Sequence, residues 1–160
     1  MLTKFHHLIK HKFNIKKTLI VAFSKFHEFI LLASKGKLMK SLAGYDMLLL
    51  ETTGRVSGSK RRTPLLYLKD EKTSFLCVAS FGGSHSHPDW FLNIRSNPKA
   101  QILIKSCWTK VNATILENQD RKKAWNKLTE YYPSFNNYQS KTKRIIPVVQ
   151  FTLENKHLID

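Results

Sequence analysis

The feature that most constrains the fold is a series of short apolar runs between residues 46 and 153, each bounded by Gly, Pro or polar turn residues. Runs of this length at hairpin spacing are typical of antiparallel β-strands. They predict strands over residues 47–53, 65–68, 75–79, 100–105, 108–116 and 146–153. With about five or six strands and few helices, the pattern predicts a mainly β (α+β) fold built on a small barrel rather than a doubly wound sheet.

Two segments between the predicted strands predict short helices. The first follows Ser86 and ends near Ser96; Ser86 with Asp89 three residues later, and Pro88 between them, is typical of a capped helix start. The second covers residues 120–131 and is stopped by Pro133.

The first 41 residues differ from the rest and predict a separate segment, 1–41, ahead of a barrel domain at 42–160. They carry nine lysines and one acidic residue, a net charge of +8 out of +16 for the whole chain. Their apolar residues recur at helical spacing, at Leu19, Phe23, Phe26, Ile30 and Ala33. Such a basic amphipathic helix can lie on an anionic membrane or pack on the domain with its basic side in solvent, and both interpretations stay open.

Several classes of protein are disfavoured. No apolar run approaches the roughly 18 residues that span a membrane, and Lys25, His27 and Glu28 interrupt the stretch that resembles a signal peptide. Cys77 and Cys107 are too few for a disulfide framework or a cysteine zinc site. The predicted location is therefore the cytoplasm, with peripheral contact at the inner face of the membrane as an open alternative.

The excess of basic residues favours an anionic partner. Nucleic acid is disfavoured, because aromatic residues are not interleaved with the N-terminal basic run as single-strand binding requires. A phosphorylated cofactor and an acidic membrane surface are the remaining candidates.

Residues 52–64 form the most informative stretch. Two glycines permit a tight turn, and four cations are predicted to converge on one loop between two strands: Arg55, Lys60, Arg61 and Arg62. The planar guanidinium matches phosphate and carboxylate oxygens. The spacing is not that of a P-loop. The stretch predicts either an anion site or a solvated basic loop.

A second stretch, residues 81–90, places Gly82 and Gly83 shortly before a helix N-terminus, which can hold negative charge. His85 and His87 lack a third ligand nearby, so no metal site is predicted.

A third stretch, residues 131–138, is an aromatic cluster flanked by Pro and Asn. It predicts either the side of a pocket for a flat ligand or a loop packed over the core. No G-x-S-x-G hydrolase motif is present.

Taken together and in order, these stretches resemble the deazaflavin (F420)-dependent nitroreductase family. The resemblance covers about residues 42 to 153, and the matching pieces lie at 48–55, 62–68, 79–83, 87–90, 93–98 and 132–149. Many ordered pieces at the right spacing make this more specific than any single motif.

The resemblance implies a split β-barrel of the FMN-binding type, and hydride transfer from reduced coenzyme F420 to a small electron-poor acceptor such as a quinone, enone or nitroaromatic. It implies Tyr138, Tyr132 and Ser80 as the residues that serve the acceptor. It implies a coenzyme site with its acidic tail along the basic loop and its ring deeper. The implied coenzyme residues are Arg55, Ser57, Lys60, Arg61, Arg62, Thr63, Pro64, Ala79, Ser80, Gly82, Gly83, Trp90 and Asn93. It also implies that the N-terminal basic helix associates with membranes.

The sequence departs from the family pattern at Val56 and Phe81, where a polar residue is frequent, and at Phe135, where a Tyr is frequent. Val56 and Phe81 keep a second hypothesis open, an oxidoreductase of the same fold that binds FMN or another flavin. A third hypothesis is a non-catalytic ligand-binding protein at the membrane.

Overall fold

The computed structural model describes residues 41–42, 44–104 and 106–154. The amphipathic helix predicted within residues 1–41 lies outside the described residues except for Ser41. The boundary between a segment at 1–41 and a domain at 42–160 therefore stays a prediction.

The described part of the chain contains seven strands. They are β1 (Ser41–Leu42), β2 (Tyr45–Thr53), β3 (Lys60–Glu71), β4 (Ser74–Val78), β5 (Lys99–Ile104), β6 (Cys107–Leu116) and β7 (Val148–Leu153). All neighbours are antiparallel in the order β1-β2-β3-β4-β7-β6-β5, and β5 also pairs with β2. Strands β2 to β7 thus close into a six-stranded barrel. The predicted mainly β split barrel is confirmed, and β3 begins five residues earlier than predicted.

Within the described residues, three α-helices accompany the barrel: α1 (Asp89–Ser96), α2 (Asn118–Tyr131) and α3 (Ser134–Ser140). The capped start predicted for α1 is wrong. Pro88 takes the cap position without a side-chain hydrogen bond, and the Ser86 hydroxyl instead hydrogen-bonds with the Ser84 hydroxyl over 3.1 Å. Helix α3 was not predicted, because Pro, Ser and Asn at residues 133–137 are typical of turns.

Two apolar layers cover the two faces of the sheet. Because successive strand residues point to opposite faces, β4 contributes Phe75 and Cys77 to the cluster inside the barrel and Leu76 and Val78 to the cluster outside it. All five β4 residues are buried. Helix α1 adds Trp90, Phe91 and Ile94 to the inner cluster. The outer cluster receives Ala124 and Leu128 from α2 and Phe135 from α3. This outer packing holds Tyr132 and Tyr138 against the barrel.

The described residues include no helix long and apolar enough to cross a membrane. Cys77 is buried and Cys107 exposed, and both are free thiols. Burial raises the pKa of the Cys77 thiol, which makes it a poor nucleophile.

Candidate active site

A cavity of about 800 Å³ runs along β3, between the β2–β3 loop and α1 at one end and α3 at the other. This main cavity is large enough for a cofactor-sized ligand. The register pairs Arg61 with Thr52 and Leu66 with Met47. Because a strand rises about 3.3 Å per residue, Arg61 and Leu66 lie about 16 Å apart. The cavity therefore has two distinct ends.

The cationic end is formed by the β2–β3 loop, the start of β3 and α1. We define it by Arg55, Ser57, Arg61, Arg62, Asp89 and Asn93, all of which line the cavity. Three arginines against one carboxylate leave an excess of positive charge at this end. Such a surface suits a ligand that carries phosphate or carboxylate groups.

Asn93 of α1 holds Arg55 in place. The buried Asn93 side-chain oxygen accepts from the Arg55 backbone N–H at 3.1 Å and from the Arg55 guanidinium at 3.2 Å. Its amide nitrogen donates to the Thr52 hydroxyl at 3.1 Å. The same guanidinium lies 3.0 Å from the Asp89 carboxylate, whose side chain is 86% exposed. Arg55 is thus oriented by a buried amide and paired with a solvated acid.

Arg61 is oriented by its own loop. Its guanidinium donates to the Ser57 hydroxyl at 3.3 Å. The loop closes through backbone bonds from the Gly54 N–H to the Ser59 carbonyl and from the Gly58 N–H to the Gly54 carbonyl, each 2.8 Å. A Cβ at Gly54 would lie 2.9 Å from the Ser57 hydroxyl, so this tight packing requires glycine.

The predicted convergence of four cations on one loop is wrong for Lys60. Lys60, Arg61 and Arg62 lie in β3, not in a loop, and strand alternation puts Lys60 on the same face as Arg62 and Glu51, opposite Arg61. Lys60 lines a separate cavity of about 300 Å³. It forms an ion pair of 2.9 Å with Glu51, and Arg62 forms one of 2.7 Å with the same carboxylate.

The carboxylate of Glu51 neutralises part of the charge at this end. Burial alone would raise the pKa of Glu51, but the hydrogen bonds from Lys60 and Arg62 outweigh it and hold the pKa below its usual range. Arg62 also lies 5.6 Å above the Trp108 ring. Arg62 lines the main cavity, yet it is already paired, so Arg55 and Arg61 are the better candidates for anion contacts.

The aromatic end lies beneath α3 and the outer apolar cluster. We define it by Met47, Leu66, Val78, Tyr132, Phe135 and Tyr138, all of which line the cavity. The Phe135 ring lies 4.9 Å from that of Tyr132 and 6.2 Å from that of Tyr138. Aromatic pairs at these separations and steep angles stabilise each other. This end offers an apolar aromatic wall with two phenol hydroxyls.

Tyr138 is kept protonated. Burial, together with a hydrogen bond and charge interaction with Tyr132, raises the pKa of Tyr138 to about 12. A tyrosine is neutral at physiological pH with or without this shift, so the Tyr138 hydroxyl can donate a hydrogen bond or a proton. A group of this kind beside a bound acceptor can act as a general acid.

The predicted site residues fall into two groups. Those that line the main cavity are Arg55, Ser57, Arg61, Arg62, Thr63, Pro64, Ser80, Gly82, Trp90, Asn93, Tyr132 and Tyr138. The other three do not line it: Lys60 faces the separate cavity, Ala79 is buried in the barrel, and Gly83 is buried against α3.

Some residues of the cavity were not singled out from the sequence. In the sequence Asp89 indicates only a helix start, because its partner Arg55 lies 34 residues away in the chain. Met47, Leu66 and Val78 were assigned to strands, and strand alternation could have placed them on one outer face. Among the described residues, no group of three or more His, Cys, Asp or Glu side chains is arranged to hold a metal ion.

Comparison with known proteins shows the family to which the chain is similar. The family model described as F420H(2)-dependent quinone reductase matches residues 24–152. The chain is 33% identical over 132 residues to the F420H(2)-dependent quinone reductase Rv1261c of Mycobacterium tuberculosis strain H37Rv. That match covers 80% of this chain and 88% of the relative.

Solved structures agree with the barrel. An F420-H2 dependent reductase, FDR-A, superposes with a TM-score of 0.60 at 36% identity, covering 66% of this chain and 92% of that one. HutZ, the haem storage protein of Vibrio cholerae, superposes with a TM-score of 0.50 at 11% identity, covering 68% of this chain and 82% of that one. The HutZ match bears on the fold alone.

Proposed function

The chain belongs to the F420H(2)-dependent quinone reductase family, and on that premise we propose that it transfers hydride from reduced F420 to a quinone bound in the main cavity. The observation that carries the proposal is the division of the cavity into a cationic end and an aromatic end about 16 Å apart along β3. A cofactor with an anionic tail and a flat ring matches this division.

At the cationic end, Arg55 and Arg61 would bind the anionic groups of the coenzyme. Both guanidiniums are oriented before any ligand arrives, Arg55 by Asn93 and Arg61 by Ser57. Groups held in advance lose less conformational entropy on binding. Ser57, Thr63 and Pro64 would complete the wall of this end, and Arg62 would contribute less because Glu51 already pairs with it.

Reduced F420 supplies the hydride. The protein positions the coenzyme and the acceptor, and donates the proton to the acceptor. Trp90, buried at the inner side of the cavity, would bound the ring. Tyr138 would donate a proton or hydrogen bond to the acceptor oxygen, and Tyr132 would orient the Tyr138 hydroxyl. Ser80 also lines the cavity and would form a hydrogen bond near the ring or the acceptor.

The test is turnover of menadione with reduced F420, followed by the return of the visible absorbance of the oxidised coenzyme. A spectrum of the purified protein and titrations with F420 and with FMN accompany it. Turnover with F420 and selective F420 binding are expected. Tight FMN binding without F420 turnover would contradict the proposal and favour a flavin enzyme of the same fold. Enones and nitroaromatics are further proposed acceptors, to be tried in the same assay.

We also propose that residues 1–41 attach the protein to anionic membranes. The support is the net charge of +8 and the apolar residues at helical spacing. Each basic residue near such a surface contributes about 1 kcal/mol. The test is co-sedimentation with anionic vesicles of the full chain and of a full-length variant with Lys10, Lys12, Lys16 and Lys17 changed to Gln. Equal binding of both, or binding insensitive to salt, would contradict the proposal.

A further inference from the structure

A strained turn borders the main cavity. Residues Phe81–Gly83 form one turn of 3-10 helix, and the backbone φ values of Phe81, Gly82 and Gly83 are 48°, 64° and 82°. A left-handed conformation is ordinary for glycine but uncommon for a bulky residue such as Phe81. It persists only where the surrounding structure holds it. The adjoining Ser80 and Gly82 line the cavity, so whatever holds this turn also shapes the site.

One side chain, the half-buried Arg144, donates to several acceptors around this turn. Its guanidinium donates to the Ser84 carbonyl at 2.8 Å, the Ser80 carbonyl at 2.9 Å and the Ala79 carbonyl at 3.1 Å. It also lies 3.2 Å from Nδ1 of His87. Because arginine can only donate, this His87 nitrogen accepts and the ring is neutral. Arg144 thus fixes both flanks of the strained turn.

Arg144 is itself tied to α3. The Gln139 side-chain amide donates to the Arg144 carbonyl at 2.8 Å and accepts from the Ile146 N–H at 2.9 Å. Gln139 directly follows Tyr138. The turn also touches this helix, since a Cβ at Gly83 would lie only 2.7 Å from the Tyr138 carbonyl. The backbone of Arg144 is therefore connected to the helix that carries Tyr138, and its side chain to the turn that carries Ser80.

We propose that Arg144 is a positioning residue for the reduction. It sets the distance between the Ser80 hydroxyl and the Tyr138 hydroxyl and keeps Gly82 clear of the space for the ring. Arg144 does not line the cavity, so it acts through these groups and not on the substrate. This role rests on the proposed function. A displacement of about 1 Å at a reacting group can lower a rate about 100-fold.

The experiment compares Arg144→Met and Arg144→Lys with a matched control, Arg121→Met. Arg121 is also half-buried and also donates to a backbone carbonyl, that of Ile146, at 2.8 Å and 3.2 Å. It lies over Trp125 and away from the turn. The measurements are kcat and KM with reduced F420 and menadione, the melting temperature, and amide hydrogen exchange of Gly83 and Ser84. These two amides bond to the Ser80 and Phe81 carbonyls within the turn.

For Arg144→Met, kcat should fall at least about tenfold, with KM for the coenzyme changed by less than about threefold. Exchange of Gly83 and Ser84 should accelerate. Arg144→Lys should recover only part of kcat, because one ammonium group cannot replace a fork of donors. A further variant, Arg144→Ala, lacks the guanidinium, and added methylguanidinium should partly restore its kcat. Arg121→Met should lower the melting temperature and leave kcat and the exchange of the turn unchanged.

Unchanged exchange of Gly83 and Ser84 in Arg144→Met would overturn the idea that Arg144 holds the turn, whatever the activity. Faster exchange with unchanged kcat would overturn the positioning role while leaving the proposed function intact. A kcat loss of equal size in Arg121→Met would show that the loss in Arg144→Met comes from general destabilisation, and would overturn the positioning role. No turnover by the wild type would overturn the proposed function and this role with it.

Discussion

The two ends of the main cavity are built in opposite ways. The cationic end is polar and solvated, and its arginines are already engaged: Arg55 with Asp89 and Asn93, and Arg62 with Glu51. The aromatic end is half-buried, and burial together with Tyr132 keeps Tyr138 neutral. Charge at an exposed end gives affinity that salt can screen. A neutral hydrogen-bond donor in an apolar environment contributes to the reaction rate, and salt hardly affects that contribution.

This contrast indicates that the cationic end determines the affinity for the coenzyme and that the aromatic end determines the rate of the reaction. Removing a group from the cationic end should change coenzyme binding. Removing one from the aromatic end should change the rate at saturation. Each prediction below tests one side of this division.

The largest expected effect is on the rate. Tyr138→Phe should lower kcat about 10²–10⁴-fold, the usual contribution of a positioned proton donor, while the affinity for F420 stays within about twofold. The measurement is steady-state reduction of menadione together with a separate F420 titration.

The matched control is Tyr67→Phe. Tyr67 is also a partly buried tyrosine with a pKa raised to about 12, by burial first, but it packs against the core inside the barrel and does not line the cavity. Its variant should be kinetically silent. Equal rates for wild type and Tyr138→Phe would mean that the aromatic cluster only closes the barrel.

The second effect is on affinity. Arg61→Ala should weaken F420 binding about 10- to 150-fold, because a hydrogen bond to a charged group contributes roughly 1.5–3 kcal/mol. Arg55→Ala should weaken F420 binding by a similar factor, apart from any change in affinity caused by movement of the unpaired Asp89 carboxylate. Added salt should weaken F420 binding by the wild type and reduce the difference in affinity between the wild type and these two variants. Titration at two ionic strengths checks this.

Lys60→Met is the control for the charge itself. It removes one positive charge a single residue from Arg61 but outside the main cavity. Its effect on binding should be less than about threefold, since exposed charges are largely screened. Equal losses in Lys60→Met and Arg61→Ala would show that net charge, not the cationic end, binds the coenzyme.

A smaller effect in the opposite direction is expected at Asp89. Its carboxylate is exposed and competes with an anionic ligand for Arg55. Asp89→Asn should therefore tighten F420 binding about two- to fivefold, in line with the energy of an exposed ion pair. Weaker binding by this variant, measured in the same titration, would show that Asp89 orients Arg55 rather than competing for it.

The smallest effect concerns pH. Burial, with the nearby charges of Arg144 and Arg95, lowers the pKa of His87 below its ordinary 6.5. The unfolded chain then takes up more protons than the folded one as pH falls below 6.5, so stability should fall as pH drops from there through the folded-state pKa. We expect a small loss in melting temperature over this pH range. His87→Gln should reduce that loss; an unchanged pH profile would contradict this assignment.

The barrel was predictable because its strands carry local signals. The run at residues 75–78 is apolar throughout since both faces of β4 are covered, and the Gly and Pro boundaries mark its neighbours. Helix α3 was not predictable from composition, since residues such as Asn136 and Asn137 favour turns. It is helical because Phe135 fills the outer apolar cluster, a long-range contact that no local pattern reports.

Most of the predicted site residues line one cavity, but their arrangement in it was not predictable from the sequence. Glycine and arginine spacing indicated an anion site, and Arg55 and Arg61 do line the cavity. The loop position predicted for Lys60 is wrong because β3 begins earlier than its apolar residues suggest, and Lys60 pairs with Glu51 beside the separate cavity. Arg144 lies within the matching piece at 132–149, but its contacts were not predictable, since their partners lie 57 to 65 residues away in the chain.

The division of labour is tested most directly by a double-mutant cycle of Arg61→Ala and Tyr138→Phe in single-turnover reduction of menadione by bound, reduced F420. The account predicts that Arg61→Ala shifts the concentration dependence alone and that Tyr138→Phe lowers the limiting rate alone. The two free-energy changes should add to within about 0.5 kcal/mol, as for independent sites. A limiting rate that falls in Arg61→Ala, or an affinity that falls in Tyr138→Phe, would contradict the separation of the two ends.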